Sequence, residues 1–173
     1  SSKLKSFELQ FYVLRFEFYV STLFMSLKNK NILITAGPTW VPIDKVRVIS
    51  NIATGETGIL LAENLKNLGA KVTLVLGPVA SCPMALAKGS QTIVLQPISK
   101  RIRLIRFNFF DELKDIILKE VKTKKYDIVI HSASVSDYRP GKSYGRKIKS
   151  GIRNFKLKLL PTVKIIDLIK RID

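Results

Sequence analysis

At 173 residues, 46% hydrophobic and carrying a formal net charge of +17, the chain is long enough for one packed domain and is strongly basic. A single cysteine, Cys82, excludes an internal disulfide, and with the lone His131 it offers no metal-ligand spacing; Cys82 is expected to be a bystander thiol in a loop, with reduced cytoplasm the default compartment. From residue 141 to 173 ten Lys or Arg stand against two Asp, a local +8 that favours anionic ligands, although most of these lysines are expected to be a solvated surface.

Residues 1–24 alternate like a strand around Phe7, Leu9 and Phe11, but Glu8, Arg15 and Glu17 make them a poor membrane span without a signal-peptide core. Met25 directly precedes the first informative segment, so the functional module is expected to run over 25–173. Residues 1–24 then form an extension or mis-assigned upstream sequence, with an added edge strand as the alternative.

A strand is predicted at 32–36 and a polar loop at 37–57. A helix follows at 58–68, with Ile59, Leu60, Ala62, Leu65 and Leu68 spaced for one face and Gly69 as its stop. Residues 72–76 form an unbroken apolar strand, typical of a parallel sheet covered on both sides. Further strands are read at 92–95 and 103–107, and a helix capped by Asn108 or Asp111 runs to about Lys122. Residues 126–131 are another buried strand, and 132–146 are a long polar loop, either mobile or functional. Residues 147–149 and 155–160 are read as an antiparallel pair and 162–172 as a helix. This alternation predicts an α/β fold: a Rossmann-like doubly wound, mostly parallel sheet with a small antiparallel extension serving as flap or dimerisation strands. Ligands bind such sheets at the carboxyl ends of their strands, where the loops after Ala36 and His131 both fall.

Gly55-x-x-Gly58 opens the first helix about twenty residues after the first strand. That gap disfavours a standard dinucleotide site, and no Gly-Lys-Ser/Thr sequence supports a P-loop. Arg47 and Asn51 face that turn: an arginine can hold a carboxylate or phosphate bidentately, and an asparagine can orient an acyl group. An Arg47–Asp44 surface pair and an Asn turn would account for the same residues. Lys147 and Lys149 would share a face in a strand and could close over phosphates, although surface lysines are the commoner case. Asp137 could accept a base amine, hold Mg²⁺ through water, pair with Arg139 or cap a turn.

Together these segments resemble the phosphopantothenoylcysteine synthetase (phosphopantothenate–cysteine ligase) family of coenzyme A synthesis. In many bacteria it is the second half of a bifunctional flavoprotein. The resemblance rests on the sequences 34–39, Pro42-Ile43-Asp44, 46–51, Gly55-x-x-Gly58, 69–74, Gly77-Pro78, 133–140 and Lys147-Ile148-Lys149, in family order. Departures are Ser134 and Ser136 where alanines are usual, Ile59-Leu60 after the glycine turn, and an end at Asp173 where the family continues, which implies a C-terminally incomplete domain.

The resemblance implies activation of the phosphopantothenate carboxylate by CTP (ATP in the eukaryotic branch) with Mg²⁺, followed by attack of cysteine on an acyl-nucleotidate. It implies that Lys147 serves nucleotidyl transfer, that Asn51 handles the acyl intermediate, and that Arg47 engages phosphopantothenate, possibly across a homodimer. Asp137, with the Ala133–Ser134 backbone, would read the base. Pro161, Thr162 and Val163 would line the nucleotide site with Gly37, Thr39, Gly55 and Gly58. A flavin-dependent decarboxylase is an implied partner; membrane and nucleic acid are not. The alternatives are an NAD(P)-binding oxidoreductase, a basic nucleic-acid module and a catalytically incomplete nucleotide-binding fragment.

Overall fold

Two continuous apolar runs, Ile-Leu-Ile-Thr-Ala and Val-Thr-Leu-Val-Leu, have no polar side to show to water, so both must lie inside a sheet covered on its two faces. In the computed structural model, which describes residues 27–78 and 98–170, they are β1 (Asn31–Ala36) and β4 (Lys71–Leu76), paired in parallel from Asn31↔Lys71 to Ala36↔Leu76. β5 (Arg103–Arg106) joins β4, and β6 (Ile128–His131) joins β1, giving the parallel order β5-β4-β1-β6.

Alternation along β1 sorts its side chains to the two faces. Ile32, Ile34 and Ala36 pack with Val72, Leu74 and Leu76 under α1 (Glu56–Asn67) through Ile59 and Ala62. Leu33 and Val75 point the other way, against Phe110, Leu113 and Ile117 of α2 (Phe110–Thr123) and Ile165 of α3 (Ile165–Lys170). Each fully buried Leu or Ile contributes roughly 1.5–3 kcal/mol, so the doubly covered sheet is where the fold is strongest.

The antiparallel extension differs from the predicted one. A hairpin-like ladder pairs β2 (Trp40–Pro42) with β3 (Val48–Ser50), and a second ladder pairs β7 (Tyr138–Pro140) with β8 (Leu159–Pro161). Residues 147–149 are not a strand and do not pair with 155–160. The Ile148 N–H and carbonyl are instead engaged by Asp44 and Arg47 of the β2–β3 turn.

The start of α2 also departs from expectation. Phe109, not Asn108 or Asp111, is the N-cap residue, and Glu112 reaches back to accept the N–H groups of Asn108 (2.7 Å) and Phe109 (3.1 Å). The Phe109 ring meets Trp40 edge-on at 6.1 Å, so aromatic packing decides where the helix begins. Tyr126 precedes β6 and turns into a polar network: its hydroxyl donates to Glu120, which also holds Arg103. The strand read at 92–95, Cys82 and residues 1–24 lie outside the described residues.

Candidate functional site

At the carboxyl end of β1, Gly37 takes φ 80° and the chain continues into an isolated bridge between Pro38 and Ser134. The Thr39 N–H donates to the Ser134 carbonyl (3.2 Å) and the Ser134 N–H to the Gly37 carbonyl (2.9 Å), so the loops after β1 and β6 advance together. Gly55, at φ 72°, caps α1 without a side-chain acceptor. A Cβ on Gly58 would lie 2.3 Å from the Ala36 Cβ, so only glycine lets the helix start against the strand end. The result is a cleft of about 320 Å³ lined by Gly37, residues 52–58 and Ser132. First-turn amides lack intrahelical partners, and the helix dipole favours an anion there, tempered by Glu56 in the same turn.

The loop after β6 is held from several sides. The Ala133 N–H donates to Thr35 Oγ1 (3.2 Å), and the same hydroxyl shares a hydrogen bond with His131 Nδ1 at 2.8 Å. Burial pushes the His131 pKa below the ordinary imidazole value. Thr39 is fully buried: its Oγ1 accepts the Ser136 N–H (2.9 Å) and donates to Ser136 Oγ (3.2 Å). The Thr39 hydroxyl is thus engaged with Ser136 in this structure.

Asn51 Nδ2 donates to the Val135 carbonyl (3.1 Å). The Thr162 hydroxyl donates to the Ser136 carbonyl (2.7 Å), and the Thr162 N–H to the Asp137 carbonyl (2.9 Å). Asn51, Ala133, Ser134, Asp137, Pro161 and Thr162 therefore meet around one backbone segment, with Val163 exposed beside it. The Asp137 side chain pairs with Lys164, which raises the lysine's pKa; Arg139, the partner considered from sequence, lies nearer Asp111 at 3.6 Å.

Arg47 belongs to a second cluster. The Arg47–Asp44 pair exists, but it is not a surface pair, because Asp44 is only 4% exposed. The Ile148 N–H, together with the Val46 and Arg47 N–H groups and the Arg47 guanidinium, holds the Asp44 carboxyl well below the usual carboxylate range against the opposing effect of burial. Lys147 and Lys149 are exposed on the segment bound to this pair. Lys147 borders a recess of about 580 Å³ with Tyr144, Arg146 and Phe155, not the cleft at Gly55–Gly58. Arg47 borders a groove of about 850 Å³ with Trp40, Phe109 and Arg139.

Among the described residues no three His, Cys, Asp or Glu side chains converge on a metal-binding point, and Asp137 is already engaged by Lys164. Sequence reasoning passed over Lys164, 27 residues from its carboxylate partner, and took Asp44 only as a surface counter-ion; no local spacing marks either one.

The bifunctional coenzyme A biosynthesis protein CoaBC of Thermococcus kodakarensis is 35% identical over 148 residues, covering 86% of this chain and 32% of that protein. The chain spans about a third of the length of the curated relatives it matches. The crystal structure of the C-terminal domain of a CoaBC protein superposes with a TM-score of 0.63 at 30% identity, covering 84% of this chain and 60% of that one. The DNA/pantothenate metabolism flavoprotein from Streptococcus pneumoniae gives 0.63 at 25% identity, covering 83% and 65%. Residues 27–173 match the family described as DNA/pantothenate metabolism flavoprotein C-terminal domain, and the chain belongs to that family.

Proposed function

We propose that this chain is the ligase portion of a coenzyme A biosynthetic enzyme, joining 4′-phosphopantothenate to cysteine at the expense of a nucleoside triphosphate, CTP before ATP. The observation that carries the reading is the Asn51–Val135 hydrogen bond. It joins the residue suited to an acyl group to the loop suited to a nucleobase, at the carboxyl ends of β1 and β6 where such sheets bind ligands.

In the first step a carboxylate oxygen of phosphopantothenate attacks the α-phosphorus and pyrophosphate leaves. In the second the cysteine nitrogen attacks the acyl carbon and loses a proton, while the nucleoside monophosphate departs with the C–O electron pair. A carboxylate and a triphosphate repel each other, so the chain's part is to supply positive charge and N–H donors. Arg47 engages the acyl substrate, Lys147 offsets the charge that develops during nucleotidyl transfer, and Asn51 holds the acyl group. Asp137 and the Ala133–Ser134 backbone read the base; Gly37 and Gly55 leave room for phosphate, and Gly58 lets the α1 N-terminus start against the end of β1 beside it; Pro161, Thr162 and Val163 border the nucleotide. Mg²⁺, if carried in on the triphosphate, would screen its charge.

A homodimer fits the exposed apolar side chains of the two ladders and the β2–β3 turn, including Val46, Val48, Tyr138 and Leu159. A flavin-dependent decarboxylase, as a fused or separate partner, is supported by the flavoprotein in the family's description and by the similarity to a cysteine/cysteine sulfinic acid decarboxylase. A cytoplasmic location belongs to the same reading; among the described residues no helix is long and apolar enough to cross a membrane. The test is pyrophosphate release with phosphopantothenate and either CTP or ATP, on this chain and on a version extended at its C-terminus. Release dependent on phosphopantothenate supports the reading, and silence from both proteins with both nucleotides refutes it.

A further inference from the structure

The two oxygens of the buried Asp44 carboxylate have separate tasks. Oδ1 accepts the Val46 N–H and the Arg47 N–H, each at 2.9 Å, and so shapes the turn between β2 and β3. Oδ2 accepts Arg47 Nε at 2.9 Å, Arg47 Nη2 at 2.6 Å and, from 104 residues downstream, the Ile148 N–H at 3.0 Å. The Ile148 carbonyl in turn accepts Arg47 Nη2 at 2.8 Å. Ile148 is thus gripped at both of its backbone polar groups by one ion pair, and the Tyr144 N–H adds a tether to the Ile43 carbonyl at 2.9 Å.

No strand pairing runs through residues 147–149, so these side-chain contacts take the place of a ladder there. A carboxylate that accepts this many N–H groups while almost hidden from water is costly to lose, because its donors would be left without partners. The two residues flanking Ile148 are Lys147 and Lys149.

We propose that Asp44 is a positioning residue for nucleotidyl transfer: through the Ile148 backbone it sets where Lys147 presents its ammonium group. The Arg47 guanidinium shares the grip, so the acyl-substrate side of the site and Lys147 are mechanically joined. This rests on the ligase reading for the role of Lys147, whereas the grip itself does not.

Asp44→Asn separates the two oxygens. The turn N–H groups hold the amide oxygen at the Oδ1 position, which leaves Nδ2 facing the Ile148 N–H, donor against donor. In the full chain, residue-resolved amide exchange should show Ile148 protected in the wild type and exchanging about tenfold faster or more in Asp44→Asn, with β1 and β4 amides unchanged. Single-turnover pyrophosphate release should fall about 10–100-fold, as for a displaced catalytic group, while the nucleotide KM stays within about threefold. Unchanged Ile148 exchange overturns the grip. Full turnover with Ile148 released overturns its link to Lys147, and general loss of protection assigns Asp44 to the fold alone. Silence of both the wild type and its C-terminally extended version with both nucleotides fails the ligase reading instead, and the exchange comparison still decides the grip.

Discussion

Replacing Gly58 with alanine puts a methyl group where the structure has no room. The new Cβ would meet the Ala36 Cβ at 2.3 Å and Ser132 Oγ at 3.0 Å. Carbon atoms rest at about 3.5–4.0 Å, so α1 must lift from the end of β1 by roughly 1.5 Å or the strand must give way. Ala36 is fully buried between neighbouring strands and cannot retreat. Overpacking of this kind costs about 1–3 kcal/mol, and better helix propensity returns up to ~1 kcal/mol. A net destabilisation of about 1 kcal/mol follows from the middle of these ranges, or about 2–4 °C in thermal midpoint for a domain of this size. Urea and thermal unfolding of Gly58→Ala, Ala36→Gly and the double variant form a cycle whose coupling should reach about 1 kcal/mol or more in favour of the double variant. Gly145→Ala is the control: nothing lies within 4 Å of its new Cβ, and its midpoint should stay within about 0.5 kcal/mol of wild type. A Gly58→Ala protein as stable as wild type, or one that Ala36→Gly fails to rescue, refutes the close-approach argument.

Lys147→Ala should lower pyrophosphate release by about 10²–10³ with an unchanged far-ultraviolet spectrum and midpoint; near-normal release would remove Lys147 from the first step. Asn51→Ala should instead slow the second step, so that acyl-nucleotidate accumulates and can be trapped and weighed by mass spectrometry. Glu120 supplies a pH test of the fold. Arg103, then the Tyr126 hydroxyl, hold its carboxyl at about 2 against the opposing effect of burial, where an unperturbed glutamate titrates at 4.5. Its contribution is complete above the unfolded value and is lost as pH falls from about 4.5 towards 2. Glu120→Gln should therefore cost about 2 kcal/mol at neutral pH, less than the ~3–5 of a fully buried pair because Arg103 stands half in water. Measured by urea midpoints, the gap between variant and wild type should close as pH falls through that window; a gap independent of pH would refute it.

The covered sheet was legible because burial on both faces forces continuous apolar runs, and residues 32–36 and 72–76 have no other outlet. The helix faces were legible for the same reason at a different period. What the sequence hid was long-range. β7 and β8 are three residues each and end in proline, so neither has enough length to show alternation; they exist because Tyr138–Pro140 and Leu159–Pro161 find each other. Lys147 and Lys149 looked like one face of a strand, yet their segment is ordered by a carboxylate 104 residues upstream. The helix cap was misplaced because Glu112 reaches back to the Asn108 and Phe109 N–H groups while the Phe109 ring packs on Trp40, and neither contact is marked by a capping residue type. Asn51 and the 133–137 loop were assigned to one site only through the family resemblance; the structure shows a hydrogen bond between Asn51 and Val135. Asp44 was taken as an ordinary counter-ion because nothing in Pro-Ile-Asp-Lys says which carboxylates will be buried.

The β7–β8 ladder also governs how this part of the chain can vary in length. It closes a loop at its base, where the Gly141 N–H donates to the Lys158 carbonyl at 2.9 Å, and Ile148 pinches that loop near its middle. The first half must reach from ladder to pinch and keep its register. The second half turns outward through Gly151 and Asn154, both at positive φ, with open space around Gly151. Lengthening a free loop is cheap, about 0.6 kcal/mol for each doubling. Insertions and deletions are therefore tolerable after Gly151 and disruptive between residues 141 and 148, so one continuous loop is split into a half open to change and a half closed to it.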